Sequence, residues 1–196
     1  MCIRDRVYDT YADDATFIFA ELNFETYIAE ENQKIFILNQ KLDKLQMKID
    51  KYPTQDKFRR QYNEFDDQKQ HHIKRVERAT QQMQAAGKSL VVVAGALFIQ
   101  QPQEMTYLYS GTYEAYKDYY GPYQIQDKLI QKAVANGIKN YNFYGISGRF
   151  DGSDGVLGFK TAFDGEARQL VGSFVLPVQP IKYKIYRLLK KISGRQ

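Results

Sequence analysis

The sequence predicts a mixed α/β fold with a long antiparallel helical hairpin inserted after its first strand. Three observations carry that reading. A run of aromatic and β-branched residues at Ala15–Phe24 gives way abruptly to residues 26–86, which are rich in Gln, Lys and Asp and contain one proline. Within that second stretch, apolar residues recur three and four positions apart. Beyond it, apolar runs alternate with amphipathic helical patterns and turn residues, as in layered α/β architectures.

Ala15–Phe24 (ATFIFAELNF) reads as the first strand. Ile35, Leu38, Leu42, Leu45, Ile49 and Tyr52 then form a narrow heptad seam, which Pro53 stops. Phe58, Tyr62, Phe65, His72, Val76, Ala79, Met83 and Ala86 continue in the same register, with Lys69 at one seam position and Gly87 as a C-cap. Each arm should be roughly 35–45 Å long at 1.5 Å per residue, long enough to project from a small domain. His72 is expected to set the register as a polar seam residue, and His71 to face outward.

Ser89–Ile99, apolar on both faces, should be a central strand. Pro102 turns the chain into a strand at Met105–Ser110. Pro122 opens a helix carrying Ile125, Leu129, Ala133 and Val134, and Gly137 closes it. Asn140–Ile146 reads as another strand, succeeded by a loop with Gly145, Gly148, Gly152, Gly155 and Gly158. A strand at Glu166–Leu176 and a helix from Ile181 complete the pattern. Ile185, Leu188 and Ile192 should be buried, with Lys182, Lys190 and Lys191 exposed.

Composition narrows the function. The chain has 196 residues, 28 of them Tyr or Phe, so one domain or a domain with an appendage can bury a core. No run of about 18 apolar residues predicts a membrane span, and no secretory leader is expected. The first six residues, MCIRDR, fit poorly with the sequence from Val7 onward and carry no weight. Cys2 is the sole cysteine, so no internal disulfide forms, which fits a reducing cytoplasm. Net charge is +5, and from Gln179 onward there are six basic residues and no acidic one. Such a terminus either approaches tRNA or an anionic membrane face, or is simply a solvated helix face.

Both histidines lie in the hairpin and no GxSxG occurs, which excludes a Ser-His-Asp triad in the globular part. No Cys/His cluster offers a zinc site, and no cofactor is expected. The glycine stretch lacks GK[ST] and is not expected to run into a helix. Two features stay open. Seven tyrosines between Tyr107 and Tyr123 form either ordinary core and surface or a polar aromatic groove. Lys160, in GFKTAF, either is a surface lysine or places one charge in a low-dielectric cleft, against an oxyanion or a phosphate.

Residues 141–180 (YNFYGISGRFDGSDGVLGFKTAFDGEARQLVGSFVLPVQP) closely resemble the C-terminal signature of the Fem family of aminoacyltransferases. The best matches are Asn142–Gly145, the Gly-x-x-x-Phe-Lys-x-x-Phe segment at 155–163, Gly172–Phe174 and the proline-rich turn. FAELNF (19–24), AGALFI (94–99), YLYSGTY (107–113) and GPYQIQDKLI (121–130) also fit, collinear from Val7 to Ile192.

The resemblance implies a GNAT-like acyltransferase domain at 7–25 and 88–196, the second of two in a full enzyme, with a coiled-coil arm at 26–87. It implies transfer of Gly, Ala or Ser from aminoacyl-tRNA to a peptidoglycan precursor, lipid II or a nucleotide-linked muropeptide. This stretch alone is not expected to be active. Catalytic roles fall on Lys160 and Phe159, and precursor binding on Tyr109 and Tyr107. Further expectations are a peripheral membrane contact at the inner face of the membrane and a homo- or hetero-oligomer with related family members. The rival reading is a non-catalytic module that docks tRNA, membrane or a partner subunit.

Overall fold

A computed structural model describes residues 10–192, apart from residues 12 and 173 and the side chain of Lys191. The expectations for MCIRDR, Cys2, Arg195 and the Lys191 side chain therefore lie outside the described residues. The chain forms two compact units, divided after Gly145.

In the first unit, β1 (Ala15–Asn23), β2 (Leu90–Gln100), β3 (Glu104–Thr112) and β4 (Asn140–Asn142) make one mixed sheet in the order β1-β2-β3-β4. β2 is central, as its two apolar faces require, and pairs antiparallel with β1 and β3. β4 runs parallel to β3 and is shorter than the expected Asn140–Ile146. The Asn142 side chain accepts the Tyr144 N–H (2.8 Å), and Tyr144 takes a left-handed φ of 63°, so the strand turns away at once.

Between β1 and β2 stands the hairpin of α1 (Phe24–Lys51) and α2 (Asp56–Ala86). Asn23 caps α1 by accepting the Thr26 N–H (3.1 Å). Gly87, with φ 65°, closes α2 by donating to Met83 and Gln84. Leu38, Leu42 and Leu45 are buried and Ile35 and Ile49 half-buried, facing the predicted α2 seam. A residue of the seam was not expected from sequence: Glu31, four residues before Ile35 and one heptad before Leu38, is 1% exposed. Its carboxylate holds Lys34 Nζ (2.6 Å) and His72 Nδ1 (2.6 Å), with Arg75 at 3.7 Å. His72 is thus the polar seam residue expected, and His71 is exposed.

The root of the hairpin is fixed by a 3-10 turn at Glu114–Tyr119. Phe24, fully buried, meets the Tyr116 and Tyr119 rings edge-on, and Tyr119 donates to Gln82 (2.6 Å). Arg78 pairs with Asp118.

α3 (Gly121–Ala135) packs across β1, β2 and β3. Its buried Ile125, Leu129 and Ala133 share the core with Ala20, Ala94, Phe98 and Met105. A Cβ on Gly121 would come within 2.8 Å of Val93 Cγ2 and 3.0 Å of Ala94 Cβ, so only glycine lets this helix start so close to the sheet.

The second unit holds α4 (Gly155–Thr161) and α5 (Pro180–Ile192). Three expectations are corrected here. The glycine stretch does enter a helix, because Asp154 caps α4. No strand forms at Glu166–Leu176: among the described residues nothing there pairs into a ladder, and Leu170, Phe174 and Leu176 stand more than four-fifths exposed. Ile185, Leu188 and Ile192 are not buried but 54%, 60% and 74% exposed, because no other described element of the second unit packs on that face of α5. Lys182 and Lys190 are exposed as expected.

Candidate functional site

α4 exists because its N-terminal amides have a designated acceptor. Asp154 Oδ1 takes the Val156 and Leu157 N–H groups at 2.9 and 3.1 Å. Its other oxygen accepts the Ser147 hydroxyl (2.6 Å), which clasps the two ends of the glycine loop together. The Ser147 bond, with the amide bonds, holds the Asp154 carboxyl below its ordinary value. Within the loop, Gly148 and Gly152 take φ of 77° and 83°, which a side chain would oppose.

This arrangement delivers Lys160 to the last turn of α4, where it is only 9% exposed. Burial pushes its ammonium below the ordinary lysine range, and the negative charge of Asp154 acts against that. Phe159 is half-buried and meets Phe163 edge-on at 5.5 Å. A lysine held out of bulk water exerts a stronger field on a neighbouring charge than a solvated one. The surface-lysine reading does not describe this residue.

Tyr107 and Tyr109 lie in the first unit, and the structure does not put them on one surface. They are two apart, which in a regular strand means a shared face. The register shift between Leu97 and Phe98 changes this, because Tyr107 pairs with Phe98 and Tyr109 with Leu97. Consecutive partners on β2 point to opposite faces, so the two tyrosines do as well. Tyr107 is 7% exposed, stacked on Phe98 at 5.1 Å and edge-on to Phe143, within the core. Tyr109 is 36% exposed on the other face.

The remaining tyrosines divide in the same way. Tyr119 is buried at the hairpin root, while Tyr113 and Tyr120 are exposed. Tyr113 meets Tyr116 edge-on, and Tyr120 meets Tyr123 in the same way. Behind Tyr107, Tyr141 donates to Gln126 Oε1 at 2.5 Å, and burial pushes its phenol well above the ordinary range. Gln126 is fully buried and its amide nitrogen has no hydrogen-bond partner. Neither this pair nor the Glu31 cluster was found from sequence. Glu31 could have been found by extending the heptad one step back. Among the described residues no group of three His, Cys, Asp or Glu side chains could hold a metal ion.

A mixed sheet with a coiled-coil arm between its first two strands, and a glycine loop that delivers one buried lysine, defines an α/β protein built around a projecting helical hairpin. The model of the FemAB family matches residues 5–191, and the chain belongs to that family. Aminoacyltransferase FemA of Staphylococcus epidermidis (strain ATCC 35984) is 36% identical over 186 residues, covering 93% of this chain and 44% of that protein. Aminoacyltransferase FemA of Staphylococcus aureus (strain MW2) is 34% identical over 188 residues, covering 94% and 44%. The crystal structure of FemX shares the fold, with a TM-score of 0.59 at 20% identity over 80% of this chain and 40% of that one. The chain thus spans less than half the length of the curated relatives it matches.

Proposed function

We propose that this chain is part of an aminoacyltransferase of peptidoglycan bridge synthesis, moving glycine, alanine or serine from aminoacyl-tRNA to the peptide of a precursor such as lipid II. The observation that carries the proposal is the likeness to proteins named aminoacyltransferases, collinear over nine-tenths of the chain and including the segment that buries Lys160. In this reading 7–25 and 88–196 are a GNAT-like domain and 26–87 its arm. It works in the cytoplasm with charged tRNA and precursor as partners, alone or with related subunits.

The chemistry asks for little covalent machinery. The ester on tRNA is already activated. The precursor's amine attacks its carbonyl carbon, a C–N bond forms, and the C–O bond to the tRNA ribose breaks. The amine's proton ends on the ribose hydroxyl. Between these steps the carbonyl oxygen is negatively charged, and a fixed, partly dry cation stabilises it more than it stabilises the ester. Lys160 takes that role, and the Phe159–Phe163 pair keeps water from it. Tyr109, exposed on its sheet face, is the one of the two tyrosines that reads as meeting the precursor, while Tyr107 lies in the core on the opposite face.

The test is a protein of the relatives' length that carries this stretch, supplied with tRNA charged with labelled glycine, alanine or serine and with precursor. Labelled precursor is the expected product. Tight binding of tRNA with no transfer of any of the three would replace this reading with that of a docking module.

A further inference from the structure

We propose that Asp154 and Ser147 are positioning residues for the transfer step, acting through Lys160 by holding the short helix that carries it. The inference rests on the transfer reading and extends it to two residues at the other end of α4 from the lysine.

α4 has seven residues, two of them glycine. Isolated helices shorter than about 12 residues are marginal in water, and each glycine weakens one further. Packing does not demand these glycines: among the described residues, a Cβ on Gly155 or Gly158 would meet nothing within 4 Å. The helix therefore depends on the bonds at its ends. At the C-terminal end, Thr161 Oγ1 donates to the Leu157 and Gly158 carbonyls, both at 3.1 Å. Both acceptors belong to α4 itself, so this tie anchors the helix to nothing outside it. The N-terminal tie does. One Asp154 oxygen takes the Val156 and Leu157 amides, and the other takes the Ser147 hydroxyl at 2.6 Å. Ser147 Oγ in turn accepts the Arg149 N–H at 3.2 Å. Bonds from amides to a carboxylate are charge-assisted, and the helix dipole favours an anion at this end.

Lys160, on the last turn of the same helix, is 9% exposed. Its ammonium sits where α4 puts it. If the first turn frays, the helix loses its outside anchor, and the lysine regains water and leaves its place. A displaced or solvated cation stabilises developing charge far less. A residue needed only for folding changes the amount of active protein. A positioning residue changes the turnover of each folded molecule and leaves the affinity for substrates alone.

The experiment uses a protein of the relatives' length that carries this stretch. Asp154→Ala removes cap and clasp together, and saturated turnover should fall roughly fivefold to thirtyfold. Apparent affinities for charged tRNA and precursor should stay within about twofold. Asp154→Asn keeps an oxygen for the cap and should recover most of the loss. Ser147→Ala removes the clasp alone and should fall between the two. In a Lys160→Ala background, Asp154→Ala should cost nothing more, because its effect passes through the lysine. A second readout needs no transfer. In this chain, acetylation of Lys160 by acetic anhydride, followed by mass spectrometry, should quicken at least about threefold in Asp154→Ala and recover in Asp154→Asn. Four results would overturn the proposal: unchanged acetylation in Asp154→Ala; native turnover of Asp154→Ala where Lys160→Ala is impaired; a further loss in the Lys160→Ala background; or an Asn variant as slow as the Ala variant. Normal turnover by Lys160→Ala would instead overturn the role of Lys160 on which the proposal rests, and the acetylation rates tell the two failures apart.

Discussion

Glu31→Ala is predicted to destabilise the hairpin by about 2–3 kcal/mol. Glu31 is 1% exposed and its carboxylate is the common acceptor for Lys34, His72 and Arg75. Removing one member of a fully buried ion pair costs roughly 3–5 kcal/mol. Here the Lys34 and Arg75 side chains are 50% and 53% exposed, so water takes them over at little cost. His72, 19% exposed, keeps an unmet ring nitrogen, on the order of 1–3 kcal/mol, beside a new void. Glu31→Leu fills that void with the side chain a heptad seam favours and should cost only about 1 kcal/mol. Adding His72→Leu should bring stability back to the native value or above it. Urea unfolding followed at 222 nm reads all three. In a chain of this size the Ala variant should melt roughly 4–12 °C lower. The pH dependence rests on the same bonds. Burial alone pushes the Glu31 carboxyl up, but its bonds to His72 and Lys34 outweigh that and hold it below the ordinary range. Its contribution is therefore complete above the unfolded value of about 4.3 and fades as pH falls through the lower folded value. Glu31→Leu should abolish that acid limb. A Leu variant less stable than the Ala variant, or an unchanged acid limb, would refute the reasoning.

Gly121→Ala should destabilise the first unit by about 1–3 kcal/mol, because the new Cβ meets Val93 and Ala94; a melting temperature at or above the native one would contradict this. Tyr141→Phe leaves the buried Gln126 amide without its remaining partner and should cost about 1–3 kcal/mol in the same unfolding assay. Burial, with the nearby Tyr27, pushes the Tyr119 phenol up to about 12, so its contribution is complete below pH 10 and lost as pH rises toward 12. Absorbance at 295 nm should show late-titrating tyrosines, one of which Tyr119→Phe removes while Tyr141 remains. Replacing residues 28–78 with a short Gly/Ser turn keeps Phe24, Tyr27 and Gln82 at the root. It should strip most helical ellipticity yet leave cooperative unfolding of the sheet; non-cooperative melting would show that the arm is part of the core.

The parts of the fold that were legible in sequence are those whose signal is local. Heptad spacing placed both arms to within a few residues, Gly87 marked the cap, and the apolar run at 90–99 marked the central strand. Elements whose form depends on a neighbour were not legible. Among the described residues the 166–176 segment has strand composition but joins no ladder, and α5 has an apolar stripe on which no other described element of the second unit lies. The bulge that separates Tyr107 from Tyr109 is a property of two strands together, and neither strand records it alone. At the candidate site, Phe-Lys-x-x-Phe singled out Lys160, but the Asp154 cap and the Ser147 clasp that present it were missed. An aspartate before a short glycine-containing helix looks the same as any loop residue.

The central claim is that Lys160 stabilises the charge that develops on the transferring acyl group. The most direct measurement is saturated turnover of Lys160→Ala, in a protein of the relatives' length that carries this stretch, with charged tRNA and precursor both in excess. Loss of one such cation costs on the order of 3 kcal/mol, so turnover should fall about a hundredfold with little change in the apparent affinity for tRNA. Native turnover with weakened tRNA binding would contradict the claim and make Lys160 a docking residue.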